Sequence, residues 1–288
     1  MLVDNAVIMA AGTSSRFAPL SYEKPKALIK VNGEVLIERQ IRQLREAGIK
    51  DIYVVTGYLA EQFEYLVTKF DVKIIYNEEY LKRNNNASIW AARHILKNTY
   101  ICSADNYFSI NPFEKYVDNS YYAALYSSGT TNEWCIKEDD YGNISSVSVG
   151  GSNAWYMFGH TFWSEEFSRT FLNILEAEYC LPETADKLWE EIFINHLDIL
   201  KMKVKRYKHS DIYEFDTLDE LRNFDISYRD NSRSKIIKSI ANSLHVSESD
   251  VIKIMAVKGE DASAIGFEFT VDDKCYVYSY SNRQFKRL

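Results

Sequence analysis

The chain has 288 residues, 46% of them hydrophobic and 26% charged, with a formal net charge of −7. This is the composition of a globular protein, and its acidic balance excludes a broad electrostatic nucleic-acid binder while leaving room for a local basic pocket. No apolar run approaches the roughly 20 residues that cross a bilayer. Asp4 and Asn5 interrupt any signal-peptide core, and Cys102, Cys135, Cys180 and Cys275 lack C-x-x-C spacing, so a cytoplasmic chain with reduced thiols, no nucleic-acid partner and no membrane insertion is expected.

Residues 6–10 (AVIMA), 51–56 (DIYVVT), 72–76 (VKIIY) and 99–103 (TYICS) are short β-branched or aromatic runs that read as buried strands. Helical patterns separate them: Ile37, Ile41 and Leu44, stopped by Gly48; Phe63, Leu66 and Phe70; Ile89, Ala92 and Leu96. Such alternation argues for an α/β fold with helices on both faces of a mostly parallel sheet. Ligands of such sheets bind beyond the carboxyl ends of the strands. Residues 105–230 mix strands (121–126, 144–149, 154–158) with helices (164–179, 184–196) and add antiparallel character to the sheet. The polar stretch 228–234 reads as a linker closing a first domain at about residue 230. Beyond it, 231–288 reads as a small α+β appendage of two helices, Ile236–Leu244 and Asp250–Val257, with Ser247 and Ser249 as candidate caps. A hairpin of 264–270 and 274–280 follows, and about 57 residues are marginal for an independent core.

The first strand empties into Ala10-Ala11-Gly12-Thr13-Ser14-Ser15-Arg16. Small side chains let the backbone approach a ligand, Gly12 offers unusual angles, and successive N–H groups can cradle an anion. Arg16 adds a planar fork and Lys24 and Lys26 add point charges, with Pro25 stiffening the chain between them. The same residues also suit a strand-to-helix turn carrying solvated basic groups.

The stretch AAGTSSRFAPLSYEKPKAL resembles the signature of the nucleotidyltransferase superfamily that makes NDP-sugars and CDP-alcohols, A-A-G-x-x-S/T-R, a proline and P-K-A-L. No G-K-[ST] follows, so this is not a Walker loop. The resemblance runs over roughly residues 5–225. The segments RNNNASIWAARHIL, SADNYF, TNEW and DIYEFDTLDEL make the chain similar to LicC-type phosphocholine cytidylyltransferases. It implies a Rossmann-like mixed, mostly parallel sheet, CTP as donor, Mg²⁺ as cofactor, and transfer of CMP to phosphocholine with release of pyrophosphate. It also implies nucleotide binding by Ala10, Ala11, Gly12, Thr13, Arg16, Asn85, Ala87 and Ser88. Arg16 would hold the CTP phosphates, and Lys26 the α-phosphate and the incoming phosphate.

Three carboxylates are candidate metal ligands. Asp105 follows the strand 99–103, and Glu214 and Asp216 flank Phe215 in a segment whose alternate side chains share a face if it is extended. Without the resemblance they read as surface acids at strand ends. The attacking phosphate oxygen is already ionised, so catalysis asks for positioning and charge neutralisation rather than a base. For the acceptor, a quaternary ammonium needs aromatic faces and acids. Glu133 with Trp134, and Asp186 with Trp189 and Glu190, are such clusters at family-matching positions, although amphipathic packing explains each alone. Leu188 stands where the family carries a tyrosine, with Tyr107 or Tyr156 as replacement walls. That departure keeps 2-aminoethylphosphonate or phosphoethanolamine open as acceptors, and more distantly a sugar 1-phosphate or a non-catalytic nucleotide binder. The tail resembles the opening of a choline-kinase N-lobe, degraded around Lys258-Gly259 and without a catalytic loop. A structural role is expected for it.

Overall fold

A computed structural model describes residues 1–259 and 264–288. The stretch between them lies outside the described residues. The chain forms two compact units, one of Met1–Gly12 with Ile37–Glu214 and one of Thr13–Leu36 with Phe215–Leu288.

The first unit is built on a seven-stranded sheet of β1 (Asn5–Ala10), β2 (Asp51–Thr56), β3 (Lys73–Tyr76), β4 (Thr99–Ser103), β5 (Tyr121–Glu138), β6 (Ile144–Trp163) and β7 (Lys203–Arg206) in the order β7-β5-β6-β4-β1-β2-β3. The β1–β2, β1–β4, β2–β3 and β5–β7 pairs are parallel; β6 runs antiparallel to β4 and β5. The expected mixed, mostly parallel sheet is therefore present. Its central strands are buried on both faces, as βαβ crossovers require. Val7 and Val55 join a core cluster with Ile89, Phe171, Trp189 and Phe193, while Ile8 and Val54, one residue away on the opposite face, are equally buried. The helices of this unit are α1 (Leu36–Glu46), α2 (Tyr65–Phe70), α3 (Asn86–Ala92), α4 (Glu165–Glu178) and α5 (Trp189–Asn195). On α1, Ile37, Ile41 and Leu44 are fully buried at the spacing that made the helix legible.

In β5 and β6, three expected strands become two long ones of 18 and 20 residues. The register slips repeatedly between Ser127 and Cys135, opposite Gly150, Gly151 and Asn153. Gly150, Gly151 and Asn153 thus lie at bulges in a continuous hairpin.

The second unit contains the one-turn helix Leu20–Glu23, the short hairpin Lys30–Val31 with Glu34–Val35, then α6 (Leu218–Phe224) and α7 (Lys235–Leu244). A four-stranded antiparallel sheet completes it: β8 (Ile252–Lys258), β9 (Ala264–Val271), β10 (Lys274–Ser279) and β11 (Gln284–Arg287). Two expectations are corrected here. The segment 250–257 is not a helix; Asp250 Oδ2 does accept Ser247 N at 2.9 Å, but this closes only the 3₁₀ turn Glu248–Asp250 before β8 begins. The stretch 228–234 is not a loose linker either. Tyr228, Ser232 and Ser234 are buried, Ser232 donating from N (2.7 Å) and Oγ (2.5 Å) to Glu248 and Ser234 Oγ donating to Glu23. Glu23 also accepts Lys235 N at 3.0 Å, so a carboxylate from the loop segment 13–36 caps α7. Tyr22, its neighbour, stacks on Tyr280 at 3.7 Å and 4°.

Candidate active site

The signature loop begins where β1 ends. Ala10 and Ala11 are buried, and Tyr58 N donates to Ala11 O at 3.1 Å. A side chain at Gly57 would meet the Tyr80 ring at 2.6 Å and Ala11 O at 3.0 Å, so only glycine fits between them. Gly12 differs from the expectation: its φ is not positive and a Cβ there would meet nothing within 4 Å. What marks it is the open space beside its backbone rather than its angles. The left-handed residue is Ser14 at φ 48°, a strained conformation of the kind that persists where a loop is held for a purpose.

In the second unit the loop's cations converge on one carboxylate. Arg16 Nη1 lies 2.8 Å from Asp216 Oδ2 and Lys26 Nζ 3.7 Å from Asp216 Oδ1. The Lys26 side chain is only 4% exposed, whereas that of Arg16 is 72% exposed. A buried lysine needs a counter-charge, and Asp216 supplies it. The Arg16 pair is too exposed to contribute much stability. Lys24 diverges from Lys26: with Glu23, Tyr228 and Arg233 it lines a cavity of about 520 Å³ that Lys26 does not reach.

In the first unit Asp105 follows β4, partly exposed, with Oδ1 shielded from solvent. The loop around it is held from α1. Gln40 Nε2 donates to Ser103 O (2.8 Å) and Asn106 O (2.9 Å), and Gln43 Nε2 to Phe108 O (3.1 Å) and Ile110 O (2.9 Å). Both glutamines are buried. Sequence reasoning missed them, though two glutamines on the apolar face of an amphipathic helix were the available signal. Asn106 Nδ2 donates to Glu214 Oε2 at 3.2 Å, and the Tyr107–Phe108 and Ile212–Tyr213 pairing brings Glu214 to this loop. The extended stretch ends at Tyr213, with Phe215 buried. Asp105 and Glu214 thus belong to the first unit and Asp216 to the second. Among the described residues, no three His, Cys, Asp or Glu side chains converge as a protein-only metal cage.

The acceptor candidates separate across the sheet. Glu133 and Trp134 are consecutive on β5, so they face opposite ways. Trp134 packs on the core cluster that contains Trp189. Glu133 is exposed; its charge raises the Tyr156 hydroxyl pKa, though burial raises it more. Tyr156 packs with Cys135 and Leu125 in a separate cluster. Trp189, only 1% exposed, is enclosed by Trp163 (5.0 Å), Tyr122 (5.8 Å) and Phe171 (6.1 Å). Asp186 is exposed in the loop before α5. Glu190, half-buried in the first turn of α5, accepts Tyr122 OH at 3.2 Å and Asn85 Nδ2 at 3.0 Å. Burial pushes its carboxyl pKa up to about 7 in spite of these bonds. Ala87 and Ser88 lie buried in α3, where Ser88 Oγ accepts Asn77 Nδ2 at 3.3 Å.

A mixed sheet whose first strand runs into a small-residue, basic loop is the architecture of a nucleotidyltransferase. The profile of the MobA-like NTP transferase domain matches residues 6–110. The chain is 33% identical to choline-phosphate cytidylyltransferase of Streptococcus pneumoniae over 75% of its own length and 95% of that protein's. It is 36% identical to 2-aminoethylphosphonate cytidylyltransferase of Lancefieldella rimae over 78% and 93%. The solved structure of CTP:phosphocholine cytidylyltransferase from S. pneumoniae superposes with a TM-score of 0.74 at 33% identity, covering 77% of this chain and 97% of that one. The chain belongs to the nucleotidyltransferase family that includes these cytidylyltransferases, and about a quarter of it falls outside the match.

Proposed function

We propose that the protein transfers CMP from CTP to phosphocholine, releasing pyrophosphate and CDP-choline. The observation that carries this reading is Glu190, an acid that accepts from Asn85 and from Tyr122, whose ring stacks on Trp189 in the core cluster on which Trp134 packs. Acid with aromatic rings is the chemistry that recognises an ammonium head group. The same reading makes Arg16 and Lys26 the phosphate-holding cations, with Ala10, Ala11, Gly12 and Thr13 leaving room for the nucleotide. An ionised phosphate oxygen of the acceptor attacks the α-phosphorus of CTP, a P–O bond forms, and the α–β bridging bond breaks to release pyrophosphate. Lys26, buried and directed by Asp216, offers its charge to the crowded phosphates without reorganisation. Arg16 exchanges Asp216 for phosphate oxygens, a planar fork suited to them.

The cofactor in this reading is Mg²⁺. Asp105, Glu214 and Asp216 are its proposed ligands, hard oxygen donors of the type that ion takes, with substrate oxygens completing its shell. When bound, the ion supplies charge neutralisation at the phosphates and orients the leaving group. The enzyme is read as cytoplasmic, where CTP is found; among the described residues no helix is long and apolar enough to cross a membrane.

A second reading, 2-aminoethylphosphonate as acceptor, is favoured by the enclosure of Trp189. With its ring committed to Trp163, Phe171 and Tyr122, the carboxylate outweighs the aromatic face, which suits a primary ammonium. Pyrophosphate release with CTP and Mg²⁺ tests both, comparing phosphocholine, 2-aminoethylphosphonate and phosphoethanolamine, with Asp105→Ala as the inactive control. Preference for phosphocholine supports the first reading and preference for a primary amine the second. Silence with all three, or full activity of Asp105→Ala, overturns the acceptor class or the metal assignment respectively.

A further inference from the structure

Three consecutive asparagines, Asn84–Asn85–Asn86, open α3, and an asparagine at a helix N-terminus normally caps that helix through its side chain. Here it does not. Asn85 occupies the N-cap position, yet its side chain makes no cap bond to α3. Its amide is spent about 100 residues away: Nδ2 donates to Glu190 Oε2 at 3.0 Å and Oδ1 accepts Trp189 N at 2.7 Å. The flanking residues reach the same place. Asn84 N donates to Ala185 O (2.8 Å) and its Nδ2 to Asp186 O (3.0 Å). Asn86, fully buried, donates from Nδ2 to Thr184 O (2.9 Å) and Lys187 O.

We propose that this asparagine run is a positioning clamp for the acceptor side of the site, setting the loop 184–188 and the Glu190 carboxylate in place. The inference rests on the proposed function and deepens it, because Glu190 is the group read as facing the ammonium. The chemistry explains why three amides are needed. A loop entering a short helix leaves its carbonyls and the first helical N–H groups without partners. Only a primary amide offers two donors and an acceptor on a short stem. Asn85 uses both kinds at once, so the orientation of its amide is fixed by opposite demands from Trp189 N and Glu190. With that amide removed, the Tyr122 hydroxyl remains as a side-chain partner of Glu190, and the carboxylate can swing away from its position. The clamp also ties the start of α3 to the start of α5, so that whatever binds along α3 and whatever binds at Glu190 share one rigid connection.

The test is steady-state kinetics of Asn85→Ala and Asn84→Ala with CTP and phosphocholine, together with hydrogen–deuterium exchange of residues 184–195. Loss of a hydrogen bond to a charged group corresponds to about tenfold in affinity. Asn85→Ala is therefore expected to raise the KM for phosphocholine about tenfold, a larger rise than in the KM for CTP. Exposed Asn84→Ala moves the same parameter in the same direction by less, and both variants exchange faster at 184–195. Asn85→Gln, a longer amide, is expected to recover part of the loss. A rise in the KM for CTP alone would make Asn85 a nucleotide contact and overturn the clamp. Unchanged kinetics, or a uniform loss that follows a fall in Tm, would overturn it equally. If the wild-type protein transfers CMP to neither amine, the functional reading fails; the exchange measurement still decides whether the asparagines hold the 184–195 segment.

Discussion

Replacing Glu190 with glutamine separates the charge of this group from its shape. The carboxyl sits half-buried between Asn85 and Tyr122, and burial raises its pKa to about 7. With that value about one-tenth of the groups are ionised at pH 6 and about nine-tenths at pH 8. If only the ionised form holds the ammonium, the acceptor KM falls about ninefold over this span. The acceptor's own phosphate, with a second ionisation near pH 6, contributes about a further twofold. The wild-type acceptor KM should therefore drop roughly twentyfold from pH 6 to pH 8, and that of Glu190→Gln only about twofold. Stability moves the other way. The folded pKa lies above the unfolded value of about 4.3, so the wild type is most stable relative to the variant below that pH and loses ground as pH rises through about 7. The loss is at most about 4 kcal/mol and less with partial exposure. Initial rates at five pH values and melting curves of both proteins check this. An unchanged pH slope in Glu190→Gln would refute the role of Glu190 as the ammonium's counter-charge.

Two further outcomes follow from packing. Trp189→Ala removes an enclosed indole and is expected to cost about 3–5 kcal/mol, lowering Tm by roughly 10 °C in calorimetry; an unchanged Tm with a raised acceptor KM would instead make the ring a wall of the pocket. Glu23→Ala uncaps α7 and is expected to lose about 1–2 kcal/mol, read by urea titration, whereas an unchanged midpoint would show that Ser234 caps the helix unaided.

How far the sequence could be read depended on the distance between partners. The strands β1, β2, β3 and β4 and the helix α1 announce themselves because each apolar pattern is complete within a dozen residues. The signature loop is legible for the same reason: its residues are consecutive. The segment 250–257 misled because a real capping signal, Ser247 with Asp250, precedes it. Yet Val251, Ile252, Ile254 and Val257 are β-branched residues suited to a strand, and pairing with β9 prevailed. The polar run 228–234 looked unstructured because Glu23 and Glu248, which bind its serines, lie elsewhere in the chain. Adjacency misled at Glu133 and Trp134, which a strand sends to opposite sides. The partners of Asn85 lie more than 100 residues downstream, and no local pattern reveals them.

The stack of Tyr22 on Tyr280 and the cap that Glu23 gives α7 have a consequence for inheritance. Positions 22 and 23 sit inside the most recognisable stretch of the chain, yet their side chains answer to residues after 230. Drift at these two positions is therefore constrained by the tail as well as by phosphate chemistry. A transplanted loop would keep these contacts only if it brought a stacking ring at position 22 and a carboxylate at position 23. The exchangeable module in this protein is the loop together with its tail.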